Sequence, residues 1–190
     1  MKNLTYLTLL TTLAAFFSGC ATTDSGNQVS SLPEWISSPH VEGGFASTQC
    51  VENNASMSVL KTKAAALARA DIAKEISLNV NAMDKTFLSL AESVDGQAEG
   101  SSFESVSKQV TSQRLSGSRQ VRTDFVKLPN GTDQLCVMVT LDPEKTKGLY
   151  DEIVGTSGRR VSAQTDSILW QEFKAHKAQQ ELDAELEKAR

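Results

Sequence analysis

One long helical stretch constrains the fold of this chain more than any other sequence feature. No glycine or proline occurs between Ala55 and Val94. Within this stretch, apolar residues recur at every fourth position, at Ala64, Ala68, Ile72, Ile76 and Val80. That spacing predicts an amphipathic helix from Ala55 to about Met83, about 43 Å long at 1.5 Å per residue. Because many residues on the helix are alanines, it can approach a sheet closely.

Three segments alternate between apolar and polar residues and are predicted to be strands. They cover residues 43–51, 119–127 and 134–141. The Asn130-Gly131 pair between the last two segments is typical of a hairpin turn. In the last segment the residues of both faces are apolar, which predicts a central position in the sheet.

Three further helices are predicted from capping signals and apolar spacing. Ser101 and Glu104 match a capping box at the start of one helix. The Asp142-Pro143 pair begins the next helix, with aspartate as the cap and proline at the first helical position. A last, highly charged helix covers about residues 162–190. Its end, after Ala178, is either solvated or half of an interface that another chain completes.

The first twenty residues have the layout of a bacterial export signal. Lys2 supplies a positive charge, and an apolar run follows from Leu4 to Phe17. This run, about fourteen residues, is too short for a comfortable transmembrane helix. The Ser18-Gly19-Cys20 sequence resembles a lipobox, although Phe17 stands where leucine is usual. The alternative is an ordinary signal peptide that contains a cysteine by chance.

A lipidated Cys20 predicts attachment to a membrane. Several acyl chains, at ~0.8 kcal/mol for each buried CH₂ group, hold a soluble domain on a bilayer. Ala21 follows Cys20, whereas an aspartate at this position often retains lipoproteins at the inner membrane. The resemblance therefore predicts the periplasmic face of the outer membrane. The expected partners are this membrane, through the lipid anchor, and either further copies of the chain or a periplasmic protein.

The chain is expected to be one α+β domain with appendages. Its 190 residues, 39% hydrophobic and 22% charged, suit a single modest core. The predicted architecture is a long helix packed on a small antiparallel sheet, followed by a C-terminal helix. The predicted division is a lipoprotein signal peptide over 1–19, a flexible tether over 20–32, the domain over 33–154, and a linker with a polar helix over 155–190.

The three cysteines divide into one expected lipid site and one pair. Cys50 and Cys136 both lie in predicted strands, and an exported chain meets an oxidising compartment. If the first and last strands are neighbours, these residues can form a disulfide worth roughly 2–4 kcal/mol through chain entropy. The alternative is two buried thiols that act as small hydrophobic residues.

No catalytic, metal-binding or cofactor-binding constellation stands out in the sequence. Ser58 with Lys61, and Ser105 with Lys108, match the Ser-x-x-Lys spacing, but the other motifs of penicillin-binding enzymes are missing. The two histidines, His40 and His176, are interpreted as solvated.

The net charge and the basic residues of the chain give little support for a charged ligand. The net charge of −4 excludes a strongly basic nucleic-acid binder. The Arg159-Arg160 pair is a weak candidate for contact with a phosphate or an anionic surface. We therefore expect a protein that is not an enzyme and that uses no cofactor or metal.

Several short motifs together resemble a known family. They are Trp35 with its flanking prolines, Gly43-Gly44, the alanine-rich residues 64–73, Leu115-Ser116-Gly117, and the strand end at residues 137–142. They are similar to the twenty-kilodalton bacterial outer-membrane lipoprotein family (FlgP-like lipoproteins), over roughly residues 33–154. The resemblance implies a strand–helix–strand–strand module of the SHS2 or dodecin-like type, outer-membrane anchoring and side-by-side assembly. The C-terminal helix is not part of this pattern.

The resemblance implies a structural or assembly role in the cell envelope, since some members of the family lie around the flagellar motor. The alternative function is a regulatory module that binds a periplasmic enzyme or a cell-wall component through the last helix and Trp170.

Overall fold

The computed structural model describes residues 32–92, 100–128 and 130–174 and has an α+β fold. Its elements follow in the order α1 (Glu34–Ser37), β1 (Phe45–Glu52), α2 (Met57–Glu92), α3 (Phe103–Leu115), β2 (Arg119–Lys127), β3 (Asp133–Leu141) and α4 (Pro143–Ser157). Residues 163–174 are also helical and are called α5. The predicted fold class is confirmed, with a long helix on a small antiparallel sheet and a C-terminal helix.

The sheet has three antiparallel strands in the order β1-β3-β2. Every residue of β3 from Leu135 to Leu141 is buried, which confirms the predicted central position. By contrast, most of β2 is exposed, and its register shifts between Gln120 and Arg122. A bulge of this kind and charged side chains are features that keep an edge strand from pairing with other chains.

Helix α2 continues beyond Met83, through Phe87 and Leu90 to Glu92, and contacts two layers of the fold. Its 36 residues extend about 54 Å, roughly twice the length of an eight-residue strand. The first half lies against β1 and β3, where Ser47 Oγ donates a hydrogen bond to Asp71 Oδ2 at 2.8 Å. The predicted four-residue repeat is its buried stripe, because Ala64, Ala68, Ile72, Ile76 and Val80 are all fully buried.

The second half of α2 packs against helices. Asn79 Nδ2 donates a hydrogen bond to the carbonyl oxygen of Phe173 at 2.6 Å, which joins α2 to α5. Leu169 and Phe173 are fully buried in the same core as the sheet. The first part of the C-terminal helix, which lies in the predicted segment 155–190, therefore contributes to the domain core. Residues 175–190, including the predicted polar end of that helix, lie outside the described residues.

Two helix boundaries differ from the predicted ones. Helix α3 has Ser102 as its N-cap, whose side chain accepts from the Ser105 amide, whereas the predicted cap was Ser101. The Ser101 amide instead donates to the carbonyl oxygen of Ser157 at 2.8 Å. Helix α4 begins as predicted at Asp142 but continues to Ser157 and ends at Gly158, which has a φ of 69°.

Candidate functional site

The cysteine pair joins β1 and β3, the two strands whose pairing would allow the predicted disulfide. Cys50 on β1 lies directly opposite Cys136 on β3. Their Cα atoms are 4.0 Å apart and their sulfur atoms 2.00 Å apart, as a disulfide between residues separated by 86 positions. Cys136 is fully buried and Cys50 is partly exposed. The disulfide therefore lies across the sheet at a point that solvent reaches from the β1 side.

The disulfide belongs to the outer face of the sheet, opposite the face that packs on α2. Alternation along β3 places Leu135, Val137 and Val139 in the core with α2 and sends the intervening side chains outward. Three rows of side chains cross this outer face from β1 through β3 to β2: Cys50–Cys136–Asp124, Thr48–Met138–Arg122 and Ala46–Thr140–Arg119.

Helix α1 lies over two of these rows and carries Trp35. Thr48 Oγ1 donates a hydrogen bond of 2.6 Å to the carbonyl oxygen of Trp35, which fixes α1 to the sheet. The Trp35 side chain is half-buried and lines the space between α1 and the sheet. Trp35 therefore holds the start of the domain against the outer face of the sheet.

A groove of about 590 Å³ lies between α1 and the sheet and is called the Trp35 groove. It is lined mainly by Trp35, His40, Val121, Arg122, Met138 and Thr140. Met138 and Thr140 form a buried floor, whereas Val121 is 49% exposed. His40 and Arg122 are exposed. A floor of Met138 and Thr140 with aromatic and basic side chains at the rim is suited to binding a ligand.

A second groove, of about 680 Å³, lies between α2 and α3. Its walls carry three cations and one carboxylate, at Arg69, Lys74, Lys108 and Glu104. Arg69 Nε already donates a hydrogen bond to Ser118 Oγ at 2.9 Å, so this cation also has a structural role. The groove belongs to the helical layer, on the other side of the sheet from the Trp35 groove.

The Ser-x-x-Lys matches do not form catalytic pairs. Ser105 Oγ donates a hydrogen bond to the carbonyl oxygen of Ser102. Among the described residues, neither Lys61 nor Lys108 is hydrogen-bonded to its serine, Ser58 or Ser105. Within the same ranges, no group of three or more histidine, cysteine or acidic residues is placed to hold a metal ion. His176 lies outside them.

Arg159 is buried, whereas the sequence predicted it as a weak candidate for contact with an anionic surface. Its side chain is only 5% exposed, and Nη1 lies 2.6 Å from Asp84 Oδ1. The guanidinium carbon lies 4.5 Å from the centroid of each of the Phe87 and Phe103 rings, which contact each other edge to face. No sequence signal identifies this pair, because Asp84 and Arg159 are 75 positions apart.

Tyr150 links α4 to α5 and is also structural. Its hydroxyl donates to Asp166 Oδ1 at 2.8 Å. Burial, followed by the hydrogen bond to Asp166, raises the pKa of Tyr150 well above its usual value. The ring contacts Trp170 and Phe173, which also contact each other. Trp170, the residue named for the alternative binding function, is thus partly used in this aromatic cluster.

The predicted lipidation site, Cys20, lies outside the described residues. In the ranges that the structure describes, no helix is both long enough and apolar enough to span a membrane. Comparisons of the chain with protein-family models, with curated proteins and with solved structures found no match in any of the three. The resemblance to the twenty-kilodalton lipoproteins therefore stays a prediction.

Proposed function

We propose that this protein is an outer-membrane-anchored periplasmic lipoprotein with a structural or assembly role in the cell envelope. The observation that carries the proposal is the pairing of its cysteines. Because Cys50 and Cys136 bond to each other, Cys20 has no cysteine of its own chain left to bond with. An export signal that ends at this cysteine is the arrangement expected for lipidation.

The disulfide itself supports an extracytoplasmic location. Structural disulfides persist in oxidising compartments such as the bacterial periplasm and are rare in the cytosol. In a reducing compartment the Cys50–Cys136 bond would be reduced and would contribute nothing to the stability of the fold. The export signal and the disulfide are independent features of the chain, and both point to the same side of the inner membrane.

A structural role is favoured over catalysis by how the described polar groups are used. The buried Asp84, Arg159 and Tyr150 side chains join helices to one another. The regulatory alternative would use Trp170, which is half-buried between Tyr150 and Phe173. We therefore assign the protein an assembly role and expect copies of it to associate when they share one membrane.

The test is made in bacterial cells that express the full chain. Metabolic labelling with palmitate should mark the wild-type protein and not the Cys20→Ser variant, and only the wild type should fractionate with the outer membrane. Labelling of Cys20→Ser, or equal fractionation of both proteins, would contradict anchoring. Crosslinking of the wild type in cells then separates the two roles, since self-crosslinks support assembly and one foreign partner supports the regulatory alternative.

A further inference from the structure

We infer that the Trp35 groove faces the membrane and contacts its phosphate-bearing surface. The inference rests on the proposed lipid anchor and adds to it the orientation of the domain and the residues that touch the lipid. It follows from two observations: where the chain enters the domain and what the groove exposes.

The entry point of the chain ties the groove to the anchor. Pro33 borders the Trp35 groove, and the predicted tether over residues 20–32 ends just before it. For a flexible segment of this length, the root-mean-square span is on the order of 20 Å. Helix α2 alone is about 54 Å long. A short tether therefore holds the Trp35 groove nearer to the lipid than the distant end of α2.

The groups that the groove exposes suit a membrane surface. Tryptophan concentrates at the headgroup level of bilayers because its ring is apolar and its N–H is polar. The half-buried Trp35 lines the groove together with Val121, which is 49% exposed. The exposed Arg122 guanidinium can bind a lipid phosphate through two hydrogen bonds.

The charges around the groove are balanced. Arg119 and Arg122 lie on the outer face of the sheet with Asp124, and Glu34 lines the groove. Two cations beside two carboxylates give little long-range attraction to an anionic surface. The groove is therefore a means of orienting a domain that is already anchored, and the domain without its lipid should bind vesicles weakly.

The two tryptophans of the chain make the orientation measurable. The full lipidated protein is incorporated into vesicles of phosphatidylethanolamine and phosphatidylglycerol that carry a nitroxide quencher on the headgroup. The Trp170→Phe variant keeps only Trp35, and the Trp35→Phe variant keeps only Trp170. We expect the quencher to reduce Trp35 fluorescence at least two-fold more than Trp170 fluorescence. Equal quenching, or stronger quenching of Trp170, would overturn the inference.

A pair of cation variants tests the contact itself. In the Trp170→Phe background, Arg122→Ala should reduce the quenching of Trp35 by about half, whereas Lys108→Ala, in the groove between α2 and α3, should leave it unchanged. Equal effects of the two substitutions would contradict a phosphate contact at Arg122. Protection of Trp35 that grows with protein density in the vesicles, without headgroup quenching, would assign the groove to a second copy and overturn the inference.

Vesicle flotation tests the proposed lipid anchor separately from the orientation of the domain. Vesicle flotation is measured for every variant before the fluorescence, since all of them keep Cys20. If none floats with the vesicles, the lipid anchor is wrong, and the inference about orientation falls with it. If all float and the quenching pattern is absent, the anchor stands and only the orientation is wrong. The Cys50–Cys136 disulfide, assayed by thiol alkylation, reports that each variant has folded.

Discussion

Asp84 holds Arg159 and the start of α3 at the same time. Its Oδ1 atom lies 2.6 Å from Arg159 Nη1, and its two carboxylate oxygens accept the amides of Phe103 and Glu104 at 2.9 and 2.8 Å. The carboxylate thus supplies acceptors for two amides that have no partner within α3. It also neutralises a cation that is almost completely buried. One side chain on α2 therefore fixes both α3 and the loop after α4.

Removing this carboxylate should destabilise the domain strongly. The Asp84→Ala variant leaves the buried Arg159 guanidinium unpaired and two helix amides without an acceptor. Loss of one partner of a buried ion pair costs about 3–5 kcal/mol, and we expect a decrease of that size in the free energy of unfolding. Urea unfolding followed by circular dichroism measures it.

A double variant separates pairing from burial. Replacing Asp84 with Leu and Arg159 with Met removes both charges, so no buried charge is left alone. The double variant should therefore lose less stability than the sum of the two single substitutions. Additive losses would show that Asp84 and Arg159 act independently.

The disulfide should stabilise the oxidised protein measurably. Replacing both Cys50 and Cys136 with alanine frees a long loop in the unfolded chain. The chain-entropy model gives about 4–5 kcal/mol for a loop of 86 positions, and typical losses are about 2–4 kcal/mol, so we expect a loss in the range of about 2–5 kcal/mol. Urea unfolding with and without reductant provides the control, because reductant should lower the midpoint of the wild type and leave the double variant unaffected. A wild-type urea midpoint that stays the same with and without reductant would contradict a stabilising disulfide.

Asp142 should make the stability of α4 depend on pH. The hydrogen bonds that its carboxylate accepts from the Lys145 amide, at 2.9 Å, and from the Lys145 side chain lower the pKa of Asp142. A pKa that is lower in the folded state means that the carboxylate stabilises the fold above the unfolded pKa, near 4. This contribution is lost as the pH falls through the lowered value.

Asp142→Ala should therefore cost about 1 kcal/mol at pH 7, as for the loss of an N-cap. The difference from the wild type should shrink as the pH is lowered below about 4. Asp142→Asn is the matched control, since its side-chain oxygen still caps the helix without titrating. Thermal unfolding across pH 2–7 measures all three proteins, and a difference between wild type and Asp142→Ala that stays constant would contradict the assignment.

Two glycines should respond to alanine in opposite directions. A Cβ atom on Gly44 would lie 2.3 Å from the carbonyl oxygen of Leu141, so the strand ends would have to separate. We expect Gly44→Ala to lose roughly 1–3 kcal/mol. Gly155 lies inside α4 with nothing within 4 Å of its added Cβ, and Gly155→Ala should gain roughly 0.5–1 kcal/mol. Differential scanning calorimetry of the two variants checks both signs.

Burial could be predicted from the sequence where the residues of a single segment decide which of its faces is buried. The four-residue repeat in α2 had to be its buried stripe, because no other face offers enough apolar surface. Likewise, a strand with apolar residues on both faces, such as β3, can be buried only at the centre of a sheet. The central place of β3 made it a neighbour of β1 and so brought Cys50 opposite Cys136.

The sequence was least informative where the environment came from distant segments. Ser101 and Ser102 have the same capping side chain, so local sequence cannot decide which of them caps α3. The choice is made by distant groups, because the Ser101 amide donates to Ser157 and the Phe103 amide donates to Asp84. The Trp35 groove depends on where α1 lies on the sheet, which local spacing does not specify. The burial of Arg159 likewise required two phenylalanine rings from different helices.

The strand order has a consequence for when this chain can fold. Strands β1 and β2 each pair only with β3 in the described sheet, and β3 is the last of the three to be synthesised. No strand of this sheet can therefore find its partner until the ribosome has passed Leu141. The β1–β3 pairing, which spans 86 positions between Cys50 and Cys136, is also slow to form, whereas β2 and β3 pair locally. Under the proposed export of this protein, the sheet would therefore remain unpaired while the chain passes through a translocation channel.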